Sequence, residues 1–342
     1  MRVAKLEALL VAACGAAAAS FATSRALAHH SPAAYDMQAT RMVEGTVTEY
    51  EWGNPHVYLS LRESGSDRVW VVEAFPSTAM KQYGWAANTF APGDAVIVGG
   101  HPGRNAARTV LFLQSIRKAG AATTLYDAGA AVAAAPPPPP RNFRATSLEG
   151  TWSTGVGPTF VSFFTPAVAQ LATPAGAAAI AEFRDAEANP GLQCVPFAAP
   201  PYMILPGFRS IELRDDAVVI RGEDAAVERV VHLNVSSHEG AAPSVQGHSI
   251  GRWEESTLVV DTARFAPHRL GNGAGLPSSA GKHLVERFAV GADGGLTYSF
   301  EVEDPEFLRE RVTGTAQWVY RPDVEYAATP CSRDNARRFL AE

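Results

Sequence analysis

The chain has 342 residues and carries 29 Lys and Arg against 35 Asp and Glu, a formal charge of −6. That acidic balance lacks the basic footprint that nucleic-acid phosphates demand, so nucleic acid is excluded as an expected partner. The length suggests two domains, and no segment beyond the leader is long and apolar enough to span a membrane as a helix.

Arg2 and Lys5 precede an alanine-rich run from Ala8 to Ser24, and Ala26-Leu27-Ala28 offers the small residues that signal peptidase needs. Residues 1–28 therefore read as a secretory signal peptide, with His29 as the first residue of a periplasmic or secreted protein. The rival reading is a lipoprotein, in which Val11-Ala12-Ala13 leads to lipidated Cys14 and the two histidines become internal. Removing residues 1–28 takes away Arg2, Lys5, Arg25 and Glu7, which moves the charge from −6 to −8.

Residues 29–118 are expected to form a small all-β domain. The runs "MVEGTVTEYEW", "PHVYLSLR" and "RVWVVEAF" are strand-like, and Val57, Leu59 and Leu61 alternate with His56, Tyr58 and Ser60. "STAMKQYGW" suggests a short helix, and "GDAVIVGG" and "RTVLFLQSI" two more strands. Three strands, a helix and two strands is the order of a five-stranded OB-like barrel. Residues 119–147 are rich in Ala and Gly and contain five consecutive prolines, which favours an extended linker.

Residues 148–342 predict a larger antiparallel β domain. "SLEGTW" at Ser147 to Trp152 resembles the first strand of a lipocalin-like, or calycin, barrel. Two Ala-rich helical patches are expected near 167–187, and the strand runs then continue through "VERVVHLNV", "SIGRWEE", "TLVVDT", "HLVERFAV", "LTYSFEVED" and "VTGTAQWVY". Leu296, Tyr298, Phe300 and Val302 alternate with polar residues, as a half-buried strand requires. About eight or nine strands fit a calycin-like barrel or a sandwich. With Cys14 lost to the leader, Cys194 and Cys331 form either one disulfide, which an oxidising compartment permits, or two buried thiols.

The start "AHHSPAAYD", followed by "GTVTEYEWGNPHVYLSL" and "GDAVIVGGHP", resembles an exported proteobacterial family of unknown function with a His-His start and an Asn-Pro-His motif. The second half is similar to an uncharacterised partner domain through "CVPFAAPPYMILP", "GHSIGRWEESTLVVDT", "HLVERF" and "VEDP". The resemblance implies a secreted all-β protein and no established activity. Where that family commonly reads Pro-His-Ser, this chain has Pro277-Ser278-Ser279, so any role of that histidine is absent here or relocated.

Two chemistries follow from the residues. If processing frees His29, its α-amine and imidazole chelate a metal, and His56 or His101 supplies a third nitrogen for Cu(II), which favours tetragonal nitrogen donors. His30 offers an alternative through the amine and the first peptide nitrogen. Against this stands a frayed terminus, a turn at Asn54-Pro55 and a polar-face His56. In the second half His248, Arg252, Glu254, Asp261, His283, Glu286 and Arg287 invite acid–base chemistry if they converge, with His248, Asp261, His283 and Glu286 as the catalytic candidates. Glu286 and Arg287 point to opposite strand faces, which favours a structural ion-paired wall. Trp253, Phe288, Tyr298, Phe300, Trp318 and Tyr320 either line a cavity for a small apolar ligand or fill the core. The chain carries no nucleophile elbow, His-Glu-x-x-His, Cys-x-x-Cys or phosphate-binding glycine loop. The expected function is an exported non-catalytic binding protein for Cu(II), a small apolar ligand, or both. The alternatives are an enzyme acting on a small apolar substrate and an envelope interaction module without a ligand.

Overall fold

Strands form where β-branched and aromatic residues alternate with polar ones, and both halves of the chain close into barrels. A computed structural model of the chain describes residues 34–128, 143–155, 166–223, 227–273 and 275–338. The expected leader, His29, His30 and the proline run lie outside the described residues.

The first barrel contains β1 (Arg41–Glu51), β2 (Tyr58–Glu63), β3 (Val69–Glu73), β4 (Ala95–Pro102) and β5 (Val110–Lys118). Antiparallel pairs run β3-β2-β1-β4-β5, and a parallel β3–β5 pairing closes the ring. The helix Ser77–Met80 and the 3₁₀ turn Lys81–Tyr83 fill the connection between β3 and β4. Val43, Leu61, Trp70, Val96 and Leu111 point inward and are almost completely buried.

The segment expected as a linker contributes to both barrels at its ends. Tyr126–Asp127 forms β6, which pairs with β5. Tyr126 is buried in the first core and Leu125 accepts a hydrogen bond from Trp85 Nε1 at 3.1 Å. On the far side, Ala145 and Leu148 join the second core.

The second barrel contains β7 (Gly150–Thr154), β8 (Gly207–Leu213), β9 (Ala217–Gly222), β10 (Glu228–His232), β11 (His248–Glu254), β12 (Thr257–Ala263), β13 (His283–Val290), β14 (Leu296–Glu303) and β15 (Val312–Tyr320). Its nine strands follow chain order around a closed ring, so of the two expected architectures the barrel is the one formed. Every neighbouring pair is antiparallel except β10–β11, which is parallel. The two expected alanine-rich helical patches correspond to the 3₁₀ helix Pro166–Leu171 and the α-helix Pro174–Glu182, whose N-cap Thr173 accepts from Gly176 N.

Side chains fill the interior of this barrel. Phe288, Tyr298 and Trp318 form an aromatic cluster, with Tyr298 stacked on Trp318 at 5.6 Å between centroids. Each such fully buried large side chain contributes about 1.5 to 3 kcal/mol. The helix Pro201–Ile204 seats Tyr202 against Gly222, where an added Cβ would lie 1.5 Å from the Tyr202 hydroxyl, so only glycine admits the ring. Trp253 departs from the expected lining set. It is 43% exposed because it lies next to the β11–β12 turn, beyond the covered part of the wall.

Cys194 and Cys331 form a disulfide across 137 residues with Cα atoms 5.7 Å apart. It ties the segment after β15 back to the start of the second domain. Closing a loop of that length is worth about 4 to 5 kcal/mol in a chain-entropy estimate. A thiol reagent added under denaturing, non-reducing conditions should modify neither Cys194 nor Cys331; modification of both would refute the bond.

Candidate functional site

The Asn-Pro-His motif lies where the two barrels meet. The chain beyond β15 runs back across the first barrel, and its Cys331 pairs with Asn54 in an isolated parallel bridge. Asn54 Nδ2 donates to Thr329 O at 3.0 Å, while Asn54 Oδ1 accepts from Ser77 N and Ser77 Oγ, each at 3.0 Å. Two residues on, His56 N donates to Asn335 Oδ1 at 3.1 Å, and Asn335 Nδ2 donates to His56 O at 2.9 Å. Tyr58 Oη donates to Asn335 O, and Arg338 covers the Tyr58 ring at 4.5 Å while pairing with Glu51. Lys81 extends the joint by reaching Glu223, whose carboxylate is fully buried, at 3.0 Å.

This joint buries His56, expected from sequence as a ligand at a strand end. Its Nδ1 faces two acceptors, Ala74 O at 3.2 Å and Glu73 Oε1 at 3.1 Å, so Nδ1 carries a proton. Burial lowers the His56 pKa to about 4, against the pull of the Ala74 carbonyl. Glu73 in turn accepts from Tyr35 Oη at 2.8 Å, and burial raises its pKa to about 7. Tyr35, Glu73 and His56 thus form one buried hydrogen-bonded row.

His101 has a different setting. It lies half-buried near the end of β4, and its Nδ1 meets Ala39 O at 2.8 Å, which puts the proton on Nδ1 and the lone pair on Nε2. The first described residues run beside it. Arg104 N donates to Ala34 O, Tyr35 bridges Gly103, and Asp36 N donates to Pro102 O. Ala34, the first described residue, therefore sits opposite Arg104, three residues past His101.

A second histidine group stands on the outer wall of the second barrel. Ser249 and Thr262 point inward and are buried, so their neighbours His248 on β11 and Asp261 on β12 point outward. His283 on β13 also faces out, and its Nε2 lies 3.1 and 3.2 Å from the two Asp261 oxygens. The parallel β10–β11 pairing forces the chain to cross back between these strands. Residues 233–247 make that crossing and place His238 between His248 and Asp261. His238 Nε2 is 2.8 Å from Asp261 Oδ1, and His238 Nδ1 is 2.9 Å from His248 Nδ1. His232 stacks on the other side of His248, with centroids 5.2 Å apart and planes 25° from parallel. Burial, with the neighbouring His238 and His232, lowers the His248 pKa.

Three of the four catalytic candidates, His248, Asp261 and His283, thus stand together on the wall. His238, absent from that set, links them; the only sequence signal for it is its place in the crossover loop between two histidine-bearing strands. Glu286 is elsewhere. It is fully buried inside the barrel, where it binds Arg229 through both oxygens at 2.6 and 3.0 Å and accepts from Tyr298 Oη at 2.9 Å. Arg229 also donates to Ser249 and Thr262, so this is a buried ion pair with supporting hydrogen bonds. Arg287, on the opposite face, pairs with Glu254 at 2.7 Å, and Glu254 also holds Arg252. The expected division of Glu286 and Arg287 between strand faces holds. Lys282 points inward too, its Nζ on Ala199 O and Gly271 O at 2.6 Å each, and burial lowers its pKa to about 7.

The buried Glu73–His56 pair makes a test of the joint. Glu73 holds its proton to about 7 in the folded chain against 4.5 when free, so its contribution is present below 4.5 and lost as pH rises to 7. His56 titrates near 4 against 6.5 when free, so its contribution is present above 6.5 and lost as pH falls to 4. The two slopes oppose one another between 4.5 and 6.5. Glu73→Gln removes the falling slope. Its urea-unfolding stability relative to the native chain should therefore climb with pH across that window, by up to about 1.4 kcal/mol per pH unit. A pH-independent difference would contradict the assignment.

Comparison with known proteins finds a similarity over the first part of the chain. Residues 17–112 match a family of unknown function (DUF6152), a span that runs into β5 of the first barrel. No curated protein matches the sequence. Among solved structures, the S. pombe Stn1–Ten1 complex is similar at 17% identity over 24% of this chain and 59% of that one, with a TM-score of 0.20. A ZRD-deleted mutant of TiaS in complex with agmatine is similar at 20% identity over 24% of this chain and 21% of that one, with a TM-score of 0.19. The match spans less than two thirds of either protein, and neither likeness is close enough to bear on function. No helix among the described residues is long and apolar enough to cross a membrane.

Proposed function

We propose that the chain is an exported, non-catalytic binding protein that holds one Cu(II) at its processed N-terminus, through the His29 amine and imidazole with His101 as the third nitrogen. The observation that carries this reading is the seat of residues 34–39 along the end of β4, where His101 is only half-buried and its Nδ1 is taken by Ala39 O, which leaves Nε2 as its donor for a metal. Four residues lie between His29 and Ala34, so the five steps from Ala34 back to His29 span up to about 17 Å when extended. His56 is the poorer third donor, because its ring is buried and its Nδ1 is held by Ala74 O. A disulfide fits an extracytoplasmic compartment.

The enzyme alternative is less well supported, since its carboxylate Glu286 is walled off from His248, Asp261 and His283 by the barrel itself. A small apolar ligand inside the second barrel would compete with Phe288, Tyr298 and Trp318 for the space they fill.

An added residue before His29 converts the chelating amine to an amide and leaves every histidine in place. Copper titration and the nitrogen hyperfine pattern in electron paramagnetic resonance should therefore separate the processed protein from an Ala-extended form and from His101→Ala. The reading predicts at least tenfold weaker binding, and loss of the site's spectrum, in both altered forms. Equal affinity in processed and extended protein would reject it.

A further inference from the structure

We infer that the outer wall of the second barrel carries a separate site for a divalent ion of the Zn(II) class, with His238 and His248 as ligands, His232 as the third, and Asp261 as the positioning carboxylate. The site is independent of any N-terminal copper.

Two imidazole nitrogens 2.9 Å apart, His238 Nδ1 and His248 Nδ1, require one proton between them. A Zn(II) ion with bonds of about 2.0 to 2.1 Å holds two tetrahedral nitrogen ligands about 3.3 Å apart. The two rings therefore need to part by only about 0.4 Å for a metal to replace that proton. They meet edge to face, at 88°, so the Nδ1 atom of one ring is aimed at the other rather than stacked over it.

The second nitrogen of His238 supplies the strongest support. Its Nε2 donates to Asp261 Oδ1 at 2.8 Å, the arrangement in which a carboxylate fixes the tautomer and orientation of a metal-bound histidine. This contact leaves the Nδ1 lone pair as the only one His238 has to offer, and that lone pair faces His248. His283 holds Asp261 from the far side and so fixes the carboxylate in turn. Asp261 is on this reading an outer partner rather than a ligand.

As the side chains stand, no three His, Cys, Asp or Glu groups among the described residues converge on one point. His232, whose ring stacks on His248 with centroids 5.2 Å apart, is the neighbour we assign as the third ligand. The cluster is open to such an ion, since the His238 side chain is 21% exposed and that of His283 42%.

The test uses the full processed chain carrying His101→Ala, so that the N-terminal copper proposal and this one fail separately. Calorimetric titration with Zn(II) should find one site per chain, and Co(II) in its place should give the intense visible bands of a tetrahedral nitrogen set. His238→Ala and His248→Ala should each weaken Zn(II) at least tenfold. Asp261→Asn should weaken it by about 10- to 100-fold while keeping the shape of the Co(II) spectrum, which a lost ligand would not. Should those variants fail to fold, Zn(II) should still protect His238 and His248 of the unaltered chain from diethyl pyrocarbonate. Unchanged affinity in a folded His248→Ala protein, absence of Zn(II) binding, or equal modification with and without Zn(II) would overturn the site.

Discussion

The arrangement of the two barrels depends on one contact, the return of the C-terminal segment onto the Asn54-Pro55-His56 turn. Asn335 saturates both backbone groups of His56, and Asn54 is saturated by Ser77 and Thr329. An unpaired buried amide costs about 1 to 3 kcal/mol, so these reciprocal bonds make the turn and the tail mutually dependent. The Cys194–Cys331 disulfide anchors the tail beside the turn, and cross-linking the chain there lowers the entropy of the unfolded state. A tail held at both ends is a stiffer tie than a linker of alanine and proline could be.

That tie sorts the described histidines by role. His56 is enclosed between the barrels and kept neutral, next to a carboxyl that burial also drives toward neutrality. His268 is likewise buried, its pKa lowered to about 4 by burial and the Lys282 charge. His101 and the wall histidines His232, His238, His248 and His283 keep solvent access. Structure and ligand chemistry are thus carried by different histidines.

Local periodicity made much of the fold legible. The succession of three strands, a helix and two strands in the first barrel and the inward row Leu296, Tyr298, Phe300 and Val302 on β14 follow from local sequence patterns. The same alternation misleads at β2. Val57, Leu59 and Leu61 are buried as their period requires, yet His56 and Tyr58 on the other face are buried too. Their cover is Asn335 and Arg338, almost three hundred residues away, and no local pattern announces such a partner. The wall cluster was half legible for a related reason. His248, Asp261 and His283 belong to strand-like runs, whereas His238 reaches them through a crossover whose path is set by the parallel β10–β11 pairing. Glu286 and His283 lie three residues apart on one strand, and the period of two sends them to opposite faces, so their nearness in sequence is not nearness in space.

The central claim is that His56 is a structural, neutral imidazole locked between the barrels, leaving other histidines for ligands. Ring-nitrogen chemical shifts of the full chain, followed by NMR from pH 5 to 8, test it most directly. His56 should remain neutral with its proton on Nδ1 throughout, as a pKa of about 4 requires. A His56 ring that gains its second proton with a midpoint near 6.5 would contradict the account.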